Sequence, residues 1–310
     1  MRQKSEKLAP KQKSRWTRHV KYYAILLPLL AAWFFFHIWP HLEIFGVSLY
    51  KWNGLSDVKK YVGLSNFKVI FKSDQWFKRC FCNTGMYVVY TLLLQTVLAL
   101  AIALALRKNT RHNNAFRTLF FLPIVMSTVA VSAIWNYLYD VNIGFFHNIF
   151  QAVGLNSLAD FQYLSGRYQR LFFIAVVQIW AGIGIPITLF TAGLQSIPEE
   201  IYEASALDGA NGWQTFWRVT LPQMMPTILR VTMLTISGAA MAFDYVLMLG
   251  VQNPDSTALF DTWSVVIYKT MVSDNNYGMV AANSVVLAVF LIVICVAQYA
   301  ATKRAEDSYL

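Results

Sequence analysis

Residues 196–222, SIPEEIYEASALDGANGWQTFWRVTLP, form a hydrophilic stretch between two apolar segments long enough to cross a membrane. The stretch reads as two short helices. Ser196 followed by Glu199 has the spacing of a capping box, with Pro198 in the first turn. Gly209 is a helix stop because glycine takes positive φ without steric cost. Asn211 is placed to cap a second helix, and Pro222 marks where that helix is expected to end. Glu203, Ala204, Ser205, Ala206, Gly209 and Ala210 present small side chains beside one acid. A surface of that kind lets another protein's backbone approach closely. Reversing the chain needs only a few residues, whereas this loop spends 27 on ordered structure. It reads as a docking element.

The rest of the chain fixes the setting. It is 56% hydrophobic and 14% charged, well below the roughly 25% charged residues of soluble domains. Six apolar stretches stand out, at about 22–39, 84–106, 119–139, 171–194, 227–251 and 280–301. Each is near the ~20 residues that span a hydrocarbon core. Backbone groups cannot remain unpaired there, so six transmembrane helices are expected, and the alternation of a β-barrel is absent. Residues 1–21 carry eight Lys/Arg and one acid, Glu6, which makes them a cytoplasmic tail by the positive-inside rule. The apolar run after them is long and lacks a small-residue cleavage site, so it is expected to be retained as the first helix. Six crossings return the C-terminus, 303–310, to the same side and put the Glu203 loop in the cytoplasm. The lysine-rich 42–82 loop, with Lys51, Lys59 and Lys60, falls outside and runs against the charge rule. Its Phe67, Ile70, Phe71, Trp76 and Phe77 are expected to lie along the outer interface with snorkelling lysines. The net charge of +10 is spread over tails and loops, which fits phospholipid and not nucleic acid.

Several motifs carry a family resemblance. Glu203-Ala204-Ser205, then three residues, Gly209, nine residues, Val219, one residue and Leu221-Pro222 resembles the EAA loop of membrane subunits of binding-protein-dependent ABC importers. Ser205 and Val219 stand where that family usually has alanine and isoleucine. The stretches Gly63 to Phe67, Phe116 to Pro123, Ile134 to Tyr139, Trp180 to Pro186, Phe243-Asp244-Tyr245 and Tyr277 to Ser284 are similar to the maltose/oligosaccharide and glycerol-phosphate branch. The glycine-rich end usual after the fifth helix is replaced by Gly250 to Asn253. The resemblance implies an all-α, type I importer permease: one six-helix domain over 22–302 in a bacterial cytoplasmic membrane, both termini inside. It also implies a second related permease, two ATPase subunits, an extracytoplasmic solute-binding protein and a sugar substrate.

The chemistry of the residues is compatible with that division of labour. A P-loop needs Gly-Lys-Ser/Thr, and no glycine here is followed by lysine. ATP and Mg are therefore expected on partner subunits, with no cofactor or metal on this chain. The resemblance implies that Glu203 pairs with a basic residue of the ATPase. Ala204, Ser205, Gly209 and Ala210 would form the close-contact surface, Ile201 and Leu207 the apolar contacts, and Leu221-Pro222 the lever into the fifth helix. Asp244 is the one acid inside an expected span, ~10 Å deep by helical rise. It is either a substrate-path group, with Tyr245, Ser237 and Asn283, or a structural hydrogen-bonding partner. His37 and His41 have metal-pair spacing, but Pro40 between them is expected to interrupt the helix. Cys80, Cys82 and Cys295 fit no zinc or redox motif and are expected as free thiols. An ion-coupled carrier using Asp244 is the alternative reading. A membrane-embedded enzyme is less favoured, since no nucleophile–base–acid cluster stands out.

Overall fold

The computed structural model describes residues 23, 26–56, 58–250, 261–273 and 275–309. The basic 1–21 tail and the 251–260 loop with Asn253 and Pro254 lie outside these, as does the side chain of Trp76. Most of the described chain is helical. The one sheet among the described residues is a two-stranded antiparallel ribbon, β1 (Tyr50–Lys51) with β2 (Lys60–Tyr61).

Three spans are single helices: α1 (Leu26–Val47), α3 (Phe77–Ala105) and α13 (Tyr277–Tyr309, apolar as far as Lys303). The other three expected spans are each broken. The third divides into α4 (Arg111–Phe121, continued by a 3₁₀ turn to Val125) and α5 (Thr128–Leu138), bent by 101°. The fourth divides into α7 (Arg167–Gly182) and α8 (Gly184–Gln195), bent by 57°. The fifth divides into α10 (Gly212–Ala240) and α11 (Asp244–Gly250), bent by 42°. Smaller helices α2 (Ser65–Lys72), α6 (Phe145–Ala152), α9 (Glu199–Leu207) and α12 (Trp263–Ser273) fill the connections.

The breaks have local causes. Pro123 falls in the 3₁₀ turn, and Ser127 restarts the helix by accepting the Ala130 N–H (3.2 Å). Pro186 lies in the first turn of α8, where its missing N–H costs no helical bond. At Gly184 a Cβ would stand 2.8 Å from the Phe120 carbonyl oxygen and Phe121 Cα, so only glycine lets α4 cross there. After α10 the chain opens at Met241–Phe243, and Thr262 Oγ1 donates to the freed Ala242 carbonyl (2.8 Å).

Two prolines expected to stop helices do not. A widened π turn at Phe34–Ile38 precedes Pro40, and another at Phe216–Thr220 precedes Pro222. In each the following N–H reaches back five residues, Trp39 to Phe34 and Leu221 to Phe216. The wider turn removes the carbonyl that a proline ring would strike in an α-helix. The helix of Gly212 therefore runs unbroken into the fifth span, and α1 continues through Pro40.

At the centre stands α3, packed against α7, α8, α10 and α12. Its buried residues Asn83, Tyr87, Thr91, Gln95, Ala99 and Ala103 recur every four positions. Small and polar residues on one helical stripe let neighbouring helices approach and exchange hydrogen bonds where lipid offers none. By contrast α1 leans on α13 and leaves Trp33, Phe35, Phe36 and Leu27 exposed.

Side-chain contacts define two opposite ends. At one, Arg117 donates to Leu106 O, Gln195 Nε2 donates to Arg107 O (3.2 Å), and the Arg107 guanidinium lies 5.4 Å from the Tyr202 ring. At the other, Asn66 Nδ2 donates to Ser48 O and Tyr50 O (2.8 and 3.0 Å). There too Arg167 Nε donates to Asn83 Oδ1 (2.7 Å), and Asn83 Nδ2 to Asp261 O (2.9 Å). Asp261, 1% exposed, receives both its charge partner and two hydrogen bonds from Lys269 (2.7 and 2.9 Å). The apolar residues expected along the interface mostly pack against the protein's own helices. Ile70 is fully buried, and Phe67 and Phe77 pack beside Trp263 and Met279. Phe71 alone of the described set stays exposed.

Candidate functional site

The 196–222 loop is built largely as its sequence directs, with exceptions at its two ends, Pro222 and Ser196. Ser196 does not cap α9: its hydroxyl donates to Gly193 O (2.7 Å), and Pro198 occupies the N-cap without a side-chain bond. Glu199 and Glu200 still place negative charge at the first turn, where the helix dipole favours it. Gly209, at φ +74°, ends α9. Ala210 N donates to Ser205 O (3.0 Å) and Gly209 N to Ala206 O (3.1 Å), the paired bonds of a Schellman turn. Asn211 then opens α10 with a full capping box: Asn211 Oδ1 accepts from the Gln214 N–H, and Gln214 Oε1 from the Asn211 N–H, both 2.9 Å.

These turns sort the nine coupling candidates. Glu203, Ala204, Leu207 and Gly209 are exposed, Leu207 at 90%. Glu203 has no ion pair among the described residues. Ser205 turns inward, off the expected contact surface, and Ile201 is half-buried against the core. Ser205 is buried and donates to Tyr202 O (2.8 Å); Ile201 packs with Leu194, Ile197 and Met224. Ala210, Leu221 and Pro222 are half-buried at the joint. The residues that sequence reasoning passed over are Trp213 and Trp217, 71% and 49% exposed, with rings 5.6 Å apart. Exposed tryptophans are typical binding anchors, and their sequence signal was there beside polar residues in the loop.

The second site lies at the breaks. The 3₁₀ turn after α4, the C-terminal end of α7 and the gap between α10 and α11 wall one cleft of about 370 Å³. Irregular backbone at membrane depth is tolerated where it lines a cavity or is buried in protein. Thr128, Gln178, Asp244 and Tyr245 supply polar groups; Pro123 and Met241 are among the apolar ones. Asp244 is exposed in the first turn of α11, and no hydrogen bond holds its carboxylate among the described residues. The structural alternative for Asp244, a bond to a neighbouring helix, therefore has no partner there. Gln178 was not singled out from the sequence; its Oε1 accepts from Tyr87 OH (2.7 Å), which orients the amide. The other two path candidates lie elsewhere. Ser237 stands 3.8 Å from Cys295 Sγ on the α13 side. Asn283 is buried, accepting from Trp263 Nε1 (3.2 Å) and donating to Met279 O (3.0 Å). All three cysteines are free.

The two sites share their helices. The fourth span leaves the cleft at Gly182–Gly184 and reaches the loop as α8; the fifth leaves the loop as α10 and returns to the cleft at Gly238–Met241. A many-span helical protein with an exposed helical loop joined by continuous helices to a cleft at its broken spans has the architecture of a membrane transport subunit. The family model described as "Binding-protein-dependent transport system inner membrane component" matches residues 95–306, and the chain belongs to that family. It is 31% identical over 287 residues to the multiple sugar-binding transport system permease protein MsmF of Streptococcus mutans, covering 91% of this chain and 94% of that protein. It is 29% identical over 284 residues to the alpha-glucoside transport system permease protein AglF of Rhizobium meliloti, covering 89% and 81%. The fold matches a chain of a bacterial alginate ABC transporter, solved in complex with an alginate pentasaccharide-bound periplasmic protein. That match has a TM-score of 0.81, 23% identity and coverage of 95% and 98%.

Proposed function

We propose that the chain is a permease subunit of an ATP-driven sugar or oligosaccharide importer in a bacterial cytoplasmic membrane. It pairs with a second permease, and a solute-binding protein delivers sugar from outside. Two ATPase subunits carry the ATP and Mg and dock on the 196–222 loop. The loop end faces the cytoplasm together with both termini, and the hairpin end faces out. Sugar as the cargo is supported by the named relatives. The reading rests on one observation: α10 runs unbroken from the exposed loop to the cleft, and α8 runs from the loop to within two residues of the cleft-lining Gly182. A displacement at Glu203 or Gly209 is carried along rigid rods to the walls of the cleft, in the manner of rigid-body switching.

In this mechanism Glu203 offers a carboxylate to a basic ATPase residue. Ala204 and Gly209 allow close backbone approach, and Leu207, Trp213 and Trp217 supply apolar contact. The π turn passes the movement along α10 to Leu221 and Pro222. At the cleft, Gln178, Thr128, Tyr245 and Asp244 hydrogen-bond sugar hydroxyls in passage. The test is Glu203→Lys in the subunits co-expressed and reconstituted in liposomes. Sugar-stimulated ATPase activity and uptake should both fall at least tenfold while the chain still inserts. Unchanged uptake with unchanged stimulation would remove the loop from its assigned role.

A further inference from the structure

A second concavity, about 440 Å³, lies at the hairpin end, between the β1–β2 ribbon and Asn275-Asn276 just before α13. Strand register sets Lys51 directly opposite Lys60. Like charges facing each other across a ribbon oppose its pairing, and a two-stranded ribbon is marginal to begin with. Neither ammonium has an ion pair among the described residues, which exclude the neighbouring acids Asp57 and Asp274. Lys59 adds a third cation, its Nζ 4.2 Å from the centroid of the Trp52 ring. Asn53 Oδ1 is already spent on the backbone N–H groups of Leu55 and Ser56 (3.2 and 2.9 Å). The charge the described residues bring to this concavity is therefore positive.

Its height is set by the spans beside it. Lys51 follows the end of α1 by four residues, at most ~14 Å of extended chain. The apolar part of α13, Tyr277–Lys303, has 27 residues, or about 40 Å of helix against a hydrocarbon core of about 30 Å. Tyr277 and the concavity next to it thus fall at headgroup level. Aromatic residues gather there as they do at membrane interfaces: Tyr50 with Tyr61 (5.4 Å) and Trp52 with Tyr277 (5.9 Å). Leu55 and Val58 stand 86% and 78% exposed on the same loop. Below, α1 offers exposed Leu42 and Phe45.

We propose that this concavity binds the headgroup of an anionic phospholipid. Its phosphate sits between Lys51 and Lys60, and its acyl chains run along the exposed face of α1. The lipid's charge relieves the Lys51–Lys60 repulsion and fastens the hairpin to the membrane. This inference needs only that the chain spans a bilayer and is independent of the cargo.

The test uses the full chain, purified in mild detergent, stripped of lipid and offered equimolar phosphatidylglycerol and phosphatidylcholine. Retained lipid is counted by native mass spectrometry. Wild type should retain phosphatidylglycerol in preference. Lys51→Gln and Lys60→Gln should each lower that retention about fivefold, leaving phosphatidylcholine unchanged. Lys68→Gln and Lys72→Gln, exposed on α2 outside the concavity, should have no effect. Equal retention of the two lipids by wild type, or hairpin variants indistinguishable from the α2 variants, would overturn the proposal. So would hairpin variants that keep lipid but no longer capture the solute-binding protein, since the concavity would then be a protein-docking site.

Discussion

Asp244 and Gly209 carry most at the residue scale. Asp244 is an exposed carboxylate in a cleft whose lining includes no Lys, Arg or His. Water-poor walls focus the field of a single charge, so the cleft should favour neutral or cationic solutes. A cysteine at Met241, which is 60% exposed in the cleft wall, reports that field in a Cys82→Ser background. Cationic thiol reagents should modify it several times faster than anionic ones, and Asp244→Asn should bring the two rates together. Equal rates before the substitution would leave Asp244 without an electrostatic role. Gly209 is a matter of backbone, since an alanine at φ +74° costs roughly 1–2 kcal/mol. Gly209→Ala should therefore loosen the end of α9, with faster exchange of the amides at positions 209 and 210. Slow exchange retained at both would mean the turn is held by something other than its left-handed glycine. Gly209 and Asn211 were legible in the sequence because their roles depend on neighbours within a few residues. Ser205 and Ile201 were not, because which side of α9 faces inward is set by Leu194 and Met224 on other helices.

Helix ends and breaks set the behaviour of the elements. Removing the capping box with Asn211→Ala should cost the start of α10 about 1 kcal/mol. Exchange should then rise at Gly212–Thr215 and stay unchanged in the core of α3. A rise spread over the whole fifth span would place the anchor of α10 elsewhere. The six apolar stretches were readable from composition, yet three conceal a break. Pro123 and Pro186 signalled two of them, but the bend angle depends on packing, as at Gly184 against the Phe120 carbonyl. The third, at Met241–Phe243, has no proline, and its freed carbonyl is satisfied by Thr262 from a distant part of the chain. Pro40 and Pro222 misled for the opposite reason. A π turn before each restores the helix, and that turn follows no simple residue preference.

At the scale of the whole molecule, the meeting of three breaks on one cleft was beyond any local reading. It depends on how α3 gathers α7, α8 and α10 around its stripe of Asn83, Tyr87, Thr91, Gln95, Ala99 and Ala103, spaced four residues apart. The sequence did contain the stripe, hidden in a run that looked uniformly apolar. The same packing runs α8 and α10 between the loop and the region of the cleft, and the proposed mechanism takes that linkage as the route of coupling. The most direct test is the modification rate of the Met241→Cys reporter in the assembled transporter, with and without ATP and magnesium. ATP should change the rate severalfold when Glu203 is intact and leave it unchanged in Glu203→Lys. An ATP response that survives Glu203→Lys at full size, or the absence of any response in an assembly competent for uptake, would contradict mechanical coupling through residues 196–222.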